Sequence, residues 1–259
     1  MVVLTERVRR HLFGSRPSPP LEVIPCCADL DTIDAQRSGA DAARAELAAG
    51  DRPILIYVGK FGGWYMEGEM VDFFATARAE VPGLLFVVLT QADREPAVAA
   101  LESRGIDPAD YRITSSPPDE IGRYLAAADA GICFIRPCLS KISSSPTKIG
   151  EYLGAGLPVV SGAGIGDVDE LLSTDGVGVL VPEFSPGAYH TAARRLRHLL
   201  DDPETPQHCR SRAHERLSLE GVGIPRYDRM YRRLADSAAP GAVRRHTTAE
   251  PFLQRQIRG

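Results

Sequence analysis

No run in this sequence approaches the roughly eighteen consecutive apolar residues that a transmembrane helix requires, so a membrane-spanning segment is not expected. Nor does an apolar h-region follow Met1. Charge arrives at Glu6, and a cleaved signal peptide is not expected either. An excess of basic residues is also missing: 30 Lys and Arg face 34 Asp and Glu, for a net charge of −4. That balance argues against nucleic acid as the main partner. Cysteine is sparse, with five among 259 residues, and forms no CxxC pair and no Cys/His cluster with zinc spacing. No metal site is therefore expected. Cys133 falls in an apolar run and Cys26–Cys27 in an extended segment, which reads as small, reduced, packed side chains. A reducing cytoplasm is the expected setting, with peripheral attachment at a membrane left open. Glycine (24) and proline (20) are plentiful but follow no collagen-like or low-complexity period.

What is present is an alternation of two patterns. Short apolar runs occur at Ile54–Val58, Leu84–Leu89, Gly131–Ile135, Pro158–Val160 and Val177–Val181. They are continuous rather than alternating, as strands buried on both faces are. Between them lie stripes at helical spacing: Met70, Phe73, Phe74 and Ala77; Ile121, Tyr124, Leu125 and Ala128; Leu196, Leu199 and Leu200. This succession predicts an α/β fold, a doubly wound, Rossmann-like parallel sheet with helices on both faces, over residues 51–203. The flanks differ. In residues 1–50, Val2–Leu4 reads as a strand, Thr5 as the cap of a helix over Glu6–Phe13, and Leu21–Pro25 as an extended connector. Together they look like the last β-α unit of a preceding domain. Residues 204–236 read as two helices, and 237–259, with Arg244, Arg245, Arg255 and Arg258, as a mobile tail.

Ligands of doubly wound sheets bind outside the carboxyl ends of the strands. The first strand runs into Gly59-Lys60-Phe61-Gly62-Gly63-Trp64-Tyr65. Gly59, Gly62 and Gly63 would let backbone N–H groups approach an anion, and Lys60 adds a point charge suited to phosphate. The loop is neither a P-loop nor GxGxxG, so an ordinary tight turn stands beside the ligand-loop reading. The denser constellation is Ser143–Pro158. Ser145 reads as a helix cap with Pro146 and Thr147 opening the first turn, Gly156 closes the helix, and Pro158 prevents its continuation. Lys148 and Glu151 share one face. A cation in the first turn is unfavourable with the helix dipole by about 0.3–1 kcal/mol, and an anionic ligand there reverses the sign. Phosphate at Lys148 and a sugar diol on Glu151 describe a nucleoside diphosphate; the rival reading is a solvated helix with an ordinary ion pair.

Other features rank lower. Gly164, in a glycine-rich turn after Val159–Ser161, would touch a sugar or phosphate or simply turn the chain. Trp64–Tyr65 would line a cleft or pack, Arg112 would sit by a base or on the surface, and His190 and His198 read as solvated.

The block Pro146-Thr147-Lys148, Glu151-Tyr152-Leu153 and Gly156-Leu157-Pro158-Val159-Val160 resembles the donor-binding segment of family-4-like glycosyltransferases of GT-B architecture. Gly59-Lys60, Tyr124–Asp129 ahead of Gly131–Ile135, and the connector Ile24–Asp29 add to it, so that residues 1–235 are covered. The resemblance implies the C-terminal half of a GT-B enzyme. It implies a UDP- or GDP-sugar donor as co-substrate, retention of anomeric configuration, and no required cofactor or metal. Glu151 would hold the donor ribose and Lys60 the diphosphate. Ser143 stands where the family has its first glutamate. The family's second basic residue after the first strand has no equivalent among Tyr65, Met66 and Glu67, a charge that Lys148 would supply from the opposite loop. The acceptor is unnamed, and an N-terminal domain or a partner chain is expected to hold it. A binding module that needs such a partner for catalysis is the alternative, and a hexose-phosphate-using or epimerising enzyme on the same architecture a further one.

Overall fold

The computed structural model describes residues 1–14, 16 and 20–238; most of the tail from residue 237 onward lies outside them. An N-terminal unit holds β1 (Val2–Val3), α1 (Glu6–Phe13) and β2 (Glu22–Val23), the two strands pairing in parallel. Where the spacing predicts a connector ahead of residue 51, two short helices form, α2 (Leu30–Ala35) and α3 (Ala40–Glu46). There follow β3 (Ile54–Val58), α4 (Glu67–Glu80), β4 (Leu85–Leu89), α5 (Glu95–Glu102), β5 (Tyr111–Thr114) and α6 (Ile121–Ala127). The second half holds β6 (Ala130–Cys133), α7 (Thr147–Ala155), β7 (Val159–Gly162), α8 (Val168–Thr174), β8 (Gly178–Val181) and α9 (Pro186–Asp201). Helices α10 (Thr205–Leu217) and α11 (Ile224–Ala238) close the described chain.

The main sheet has six parallel strands in the order β5-β4-β3-β6-β7-β8. Chain order reverses beside β3, the topological switch point where a crevice opens at the carboxyl ends of the strands. Helices cover both faces, as the continuous apolar runs require: every residue of β3 and β4 is buried. Ile54, Ile56 and Val58 point into one cluster with Leu30, Ile33, Leu47 and Tyr152, whereas Leu55 and Tyr57 point into the other with Met70, Phe73, Phe74 and Leu196. The core thus reaches upstream of residue 51. The edge strand β5 is the one strand of this sheet without an apolar run in the sequence; its four residues are only half-buried.

Two tethers fix the parts that matter for the crevice. The Thr5 hydroxyl accepts from the Val8 N–H, the expected cap, and donates to the Ile142 carbonyl at 2.6 Å. The Asp167 carboxylate accepts from the N–H groups of Glu6 and Arg7, satisfying two donors that the first turn of α1 leaves unpaired. At the switch point, the ladder between β3 and β6 ends at Ile56–Gly131. Beyond it the N–H of Val58, the last residue of β3, donates to the buried Tyr152 hydroxyl of α7 at 2.8 Å. The Tyr152 ring lies over Gly131, where an added Cβ would stand 2.3 Å from the ring.

This seat makes Gly131→Ala an overpacking substitution, since the blocking atoms belong to a fully buried ring. It is expected to destabilise by about 1–3 kcal/mol. Thermal unfolding followed by circular dichroism should show the midpoint falling by roughly 2–4 °C per kcal/mol for a chain of this size.

Candidate functional site

Because β3 is central and ends at the switch point, its outgoing loop and the amino end of α7 face each other across the crevice. Gly59 leaves β3 with φ 137°, which favours glycine, and its N–H donates to the Leu89 carbonyl. A Cβ at this position would stand 3.0 Å from the Lys148 Nζ. The two motifs that are far apart in sequence, Gly59-Lys60 and Lys148…Glu151, therefore meet. The Lys60 carbonyl accepts from the Tyr57 hydroxyl at 2.8 Å, while its side chain is exposed at the mouth.

Lys148 does not pair with Glu151 in a salt bridge, although both lie on the same face of α7. Among the described residues neither side chain has a hydrogen-bond or ion-pair partner. The ammonium instead lies over two aromatic faces, 3.7 Å from the Tyr65 centroid and 4.6 Å from that of Tyr57. Burial pushes the Lys148 pKa down, partly offset by Cys133 and Glu151. Burial likewise pushes the Glu151 pKa up, partly offset by Lys148. The Cys133 thiol is raised to about 11 by its burial, in keeping with an inert packed side chain. This corner of the crevice holds one cation and one carboxylate, both desolvated and neither neutralised by direct contact.

Beside it, across the carboxyl ends of β3, β4 and β5, runs a groove of about 460 Å³ lined by Gly59, Lys60, Thr90, Gln91, Ser116 and Ile121. Thr90, Gln91 and Ser116 carry no motif. Thr90 directly follows an apolar run, which is a positional signal; Ser116 follows β5, which has none.

Three of the expected residues are placed differently. Ser145 does not cap α7: the helix begins at Thr147 with Pro146 in the cap position and no side-chain cap bond. The Ser145 hydroxyl accepts from the Cys26 N–H at 3.0 Å instead, so it pins the connector to the loop ahead of α7. Gly164 does not offer a free N–H, because its amide donates to the Asp169 carboxylate at 2.9 and 3.0 Å. Gly62 and Gly63 carry the loop toward α4 with φ of 96° and 69°. Of the side features, Arg112 is tied to the carbonyls of Leu47 and Tyr111, and His190 and His198 are exposed. Trp64 is 53% exposed beneath the Lys141 ammonium, whereas Tyr65 packs edge-on against Tyr57. Among the described residues, no group of three His, Cys, Asp or Glu is arranged to hold a metal ion.

The family model described as glycosyl transferases group 1 matches residues 52–202. The chain belongs to this family. The matched segment spans the six-stranded sheet from the approach to β3 to the end of α9, and so contains Lys60, Lys148 and Glu151. No curated protein matches this glycosyltransferase chain. Among solved structures it is similar to sucrose-phosphate synthase from Thermosynechococcus elongatus, with TM-score 0.67, 19% identity, and coverage of 92% of this chain and 58% of that one. It is similar to AviGT4, a glycosyltransferase involved in avilamycin A biosynthesis, with TM-score 0.64, 21% identity and coverage of 92% and 64%. It is also similar to HepE of Anabaena, solved in complex with UDP and glucose, with TM-score 0.66, 14% identity and coverage of 91% and 62%. These likenesses show the fold, which is that of GT-B glycosyltransferases. The chain spans less than two thirds of the length of each of these three proteins.

The desolvated lysine makes a pH prediction. Lys148 is expected to release its proton below the ordinary lysine value of 10.5, as read from its side-chain carbon-13 shift during a titration. Between the two values the unfolded chain holds a proton that the native chain has lost, so native stability rises with pH across that window. Urea unfolding should show this rise in the wild type, and Lys148→Met should lack that increment.

Proposed function

We propose that this chain is the donor-binding, C-terminal half of a family-4-like GT-B glycosyltransferase, taking a nucleoside-diphosphate sugar and passing its glycosyl group to an acceptor hydroxyl. The observation that carries this reading is the unpaired Lys148 and Glu151, one helical turn apart, with the Lys148 ammonium against Gly59 at the switch point. A diphosphate is the counter-charge that Lys148 lacks in its surroundings, and exposed Lys60 at the mouth adds a second cation. A ribose diol supplies donors to the Glu151 carboxylate, which favours the charged form of that acid. The base then falls in the groove beside Thr90, Gln91 and Ser116.

In the transfer, the bond between the anomeric carbon and the diphosphate oxygen breaks with its electron pair going to the leaving group. The acceptor oxygen forms the new bond as its proton is released. Lys148 and Lys60 would stabilise the charge that develops on the departing diphosphate. Retention of configuration and independence of a metal are carried by the family resemblance; the alternation of strands and helices carries the donor domain at residues 51–203, onto whose core Leu30, Ile33 and Leu47 also pack, with residues 204–236 as closing helices. HepE, solved with UDP and glucose, lends support from a protein of this fold. No helix among the described residues is long and apolar enough to cross a membrane. A cytoplasmic place, with or without peripheral attachment, goes with this reading.

A second reading rests on the share of length. The chain spans 58% of the sucrose-phosphate synthase chain, and a nucleotide-sugar-binding module that needs a partner domain or chain for the acceptor would bind donor without transferring it. Product analysis with UDP- and GDP-sugars separates the two.

Calorimetric titration with UDP and GDP tests the site. Loss of a charge-assisted contact is worth about 1.5–3 kcal/mol, so Lys148→Ala should weaken diphosphate binding by roughly tenfold or more. Unchanged affinity would remove Lys148 from the site. Glu151→Ala should erase the preference for a ribonucleoside diphosphate over its 2′-deoxy counterpart, and a preference that survives would place the ribose elsewhere.

A further inference from the structure

We infer that Tyr57 and Tyr65 are positioning residues, which hold the Lys148 ammonium over Gly59 so that its full positive charge faces the diphosphate. The inference rests on the donor-site reading above and adds to it the part of the site that carries no charge and no motif.

The argument begins with what a carboxylate would do in their place. An Asp or Glu against Lys148 would fix the ammonium but also neutralise it, and an incoming anion would have to displace that partner. An aromatic face attracts a cation through its quadrupole while contributing no net charge. Here two faces do this at once, at 3.7 and 4.6 Å from Nζ. The carboxylate that acts on this ammonium, Glu151 of α7, forms no salt bridge with it among the described residues.

Both rings are themselves fixed. Tyr57 is fully buried, its hydroxyl donates to the Lys60 carbonyl, and its ring meets Phe61 edge-on at 5.2 Å and Tyr65 at 5.8 Å. Tyr65 is held through its backbone: it bridges to Ile135, and its N–H donates to the Gly62 carbonyl. The Tyr57 hydroxyl bond also ties the ring to the backbone of Lys60, the other cation of the site. Gly59 completes the arrangement, because a side chain there would meet Nζ at 3.0 Å and cover the side from which an anion approaches.

The test combines UDP calorimetry with the carbon-13 and proton shifts of the Lys148 ε-methylene, which an aromatic face moves upfield whether or not nucleotide is present. Tyr65 is half-buried and tolerates replacement better than Tyr57. Tyr65→Phe, which keeps the face, should retain both the upfield shift and the UDP affinity within about twofold. Tyr65→Leu, which fills similar space without a π face, should lose the shift and weaken UDP binding about tenfold. In a Lys148→Ala background, Tyr65→Leu should have no further effect, because its action passes through the lysine. Wild-type UDP affinity in Tyr65→Leu, or an undiminished loss in the Lys148→Ala background, would overturn the inference while leaving the donor site intact. Failure of the wild type to bind UDP or GDP would overturn the donor reading itself, and the role given to the two tyrosines with it.

Discussion

The crevice depends on how one buried phenol is seated. Tyr152 lies over Gly131 of β6 and takes the N–H of Val58, the last residue of β3, at the level where the β3–β6 ladder has already ended. A buried N–H without a partner would cost about 1–3 kcal/mol, so the hydroxyl is a necessary part of the strand end and not an addition to it. Its consequence is positional. Because Tyr152 fixes the rotation of α7 about its axis, Lys148, four residues earlier on the same face, lies against the loop that leaves β3. The glycine under the ring, the tyrosine and the strand end form one unit. Together they bring two motifs some ninety residues apart in the sequence into contact.

The arrangement is not one that stability alone would select. A lysine and a glutamate, both largely removed from water, stand close on one helix without closing into a salt bridge, and each is pushed toward its neutral form by burial. Desolvated charges are unfavourable unless something pairs with them, and functional sites are where such charges persist. The turn between β7 and α8 shows the opposite logic. There the Asp167 carboxylate is spent on backbone donors of α1, and the Gly164 amide is taken by Asp169. These are closed interactions that hold an element in place. The contrast separates a glycine turn that lies against an unpaired cation from one closed by its own hydrogen bonds, although the two turns look alike as sequence.

Much of this is legible in the sequence, for identifiable reasons. The buried parallel strands show as continuous apolar runs, because both faces of β3 and β4 are covered. Lys148 and Glu151 were visible as a pair because helical spacing alone places them on one face. What escaped was short, half-exposed or dependent on a distant partner. β5 has four half-buried residues and no run to announce it, and with it went Ser116 and one wall of the groove. Ser145 has every local property of a helix cap, yet a connector N–H from residue 26 claims its hydroxyl.

The sequence by itself determined the fold class, the five strands that show as apolar runs, and the residue types at the crevice. Those properties follow from local periodicity and from turn chemistry, which are written within a few residues of each position. Only the tertiary structure decided that Lys148 rests on Tyr57 and Tyr65 instead of pairing with Glu151, that Gly164 has no amide to spare, and that Tyr152 seats α7 on β3. Each of these is a choice among partners of comparable strength. It is made by which of them the packed sheet brings within a few ångströms, and a linear pattern carries no record of that distance.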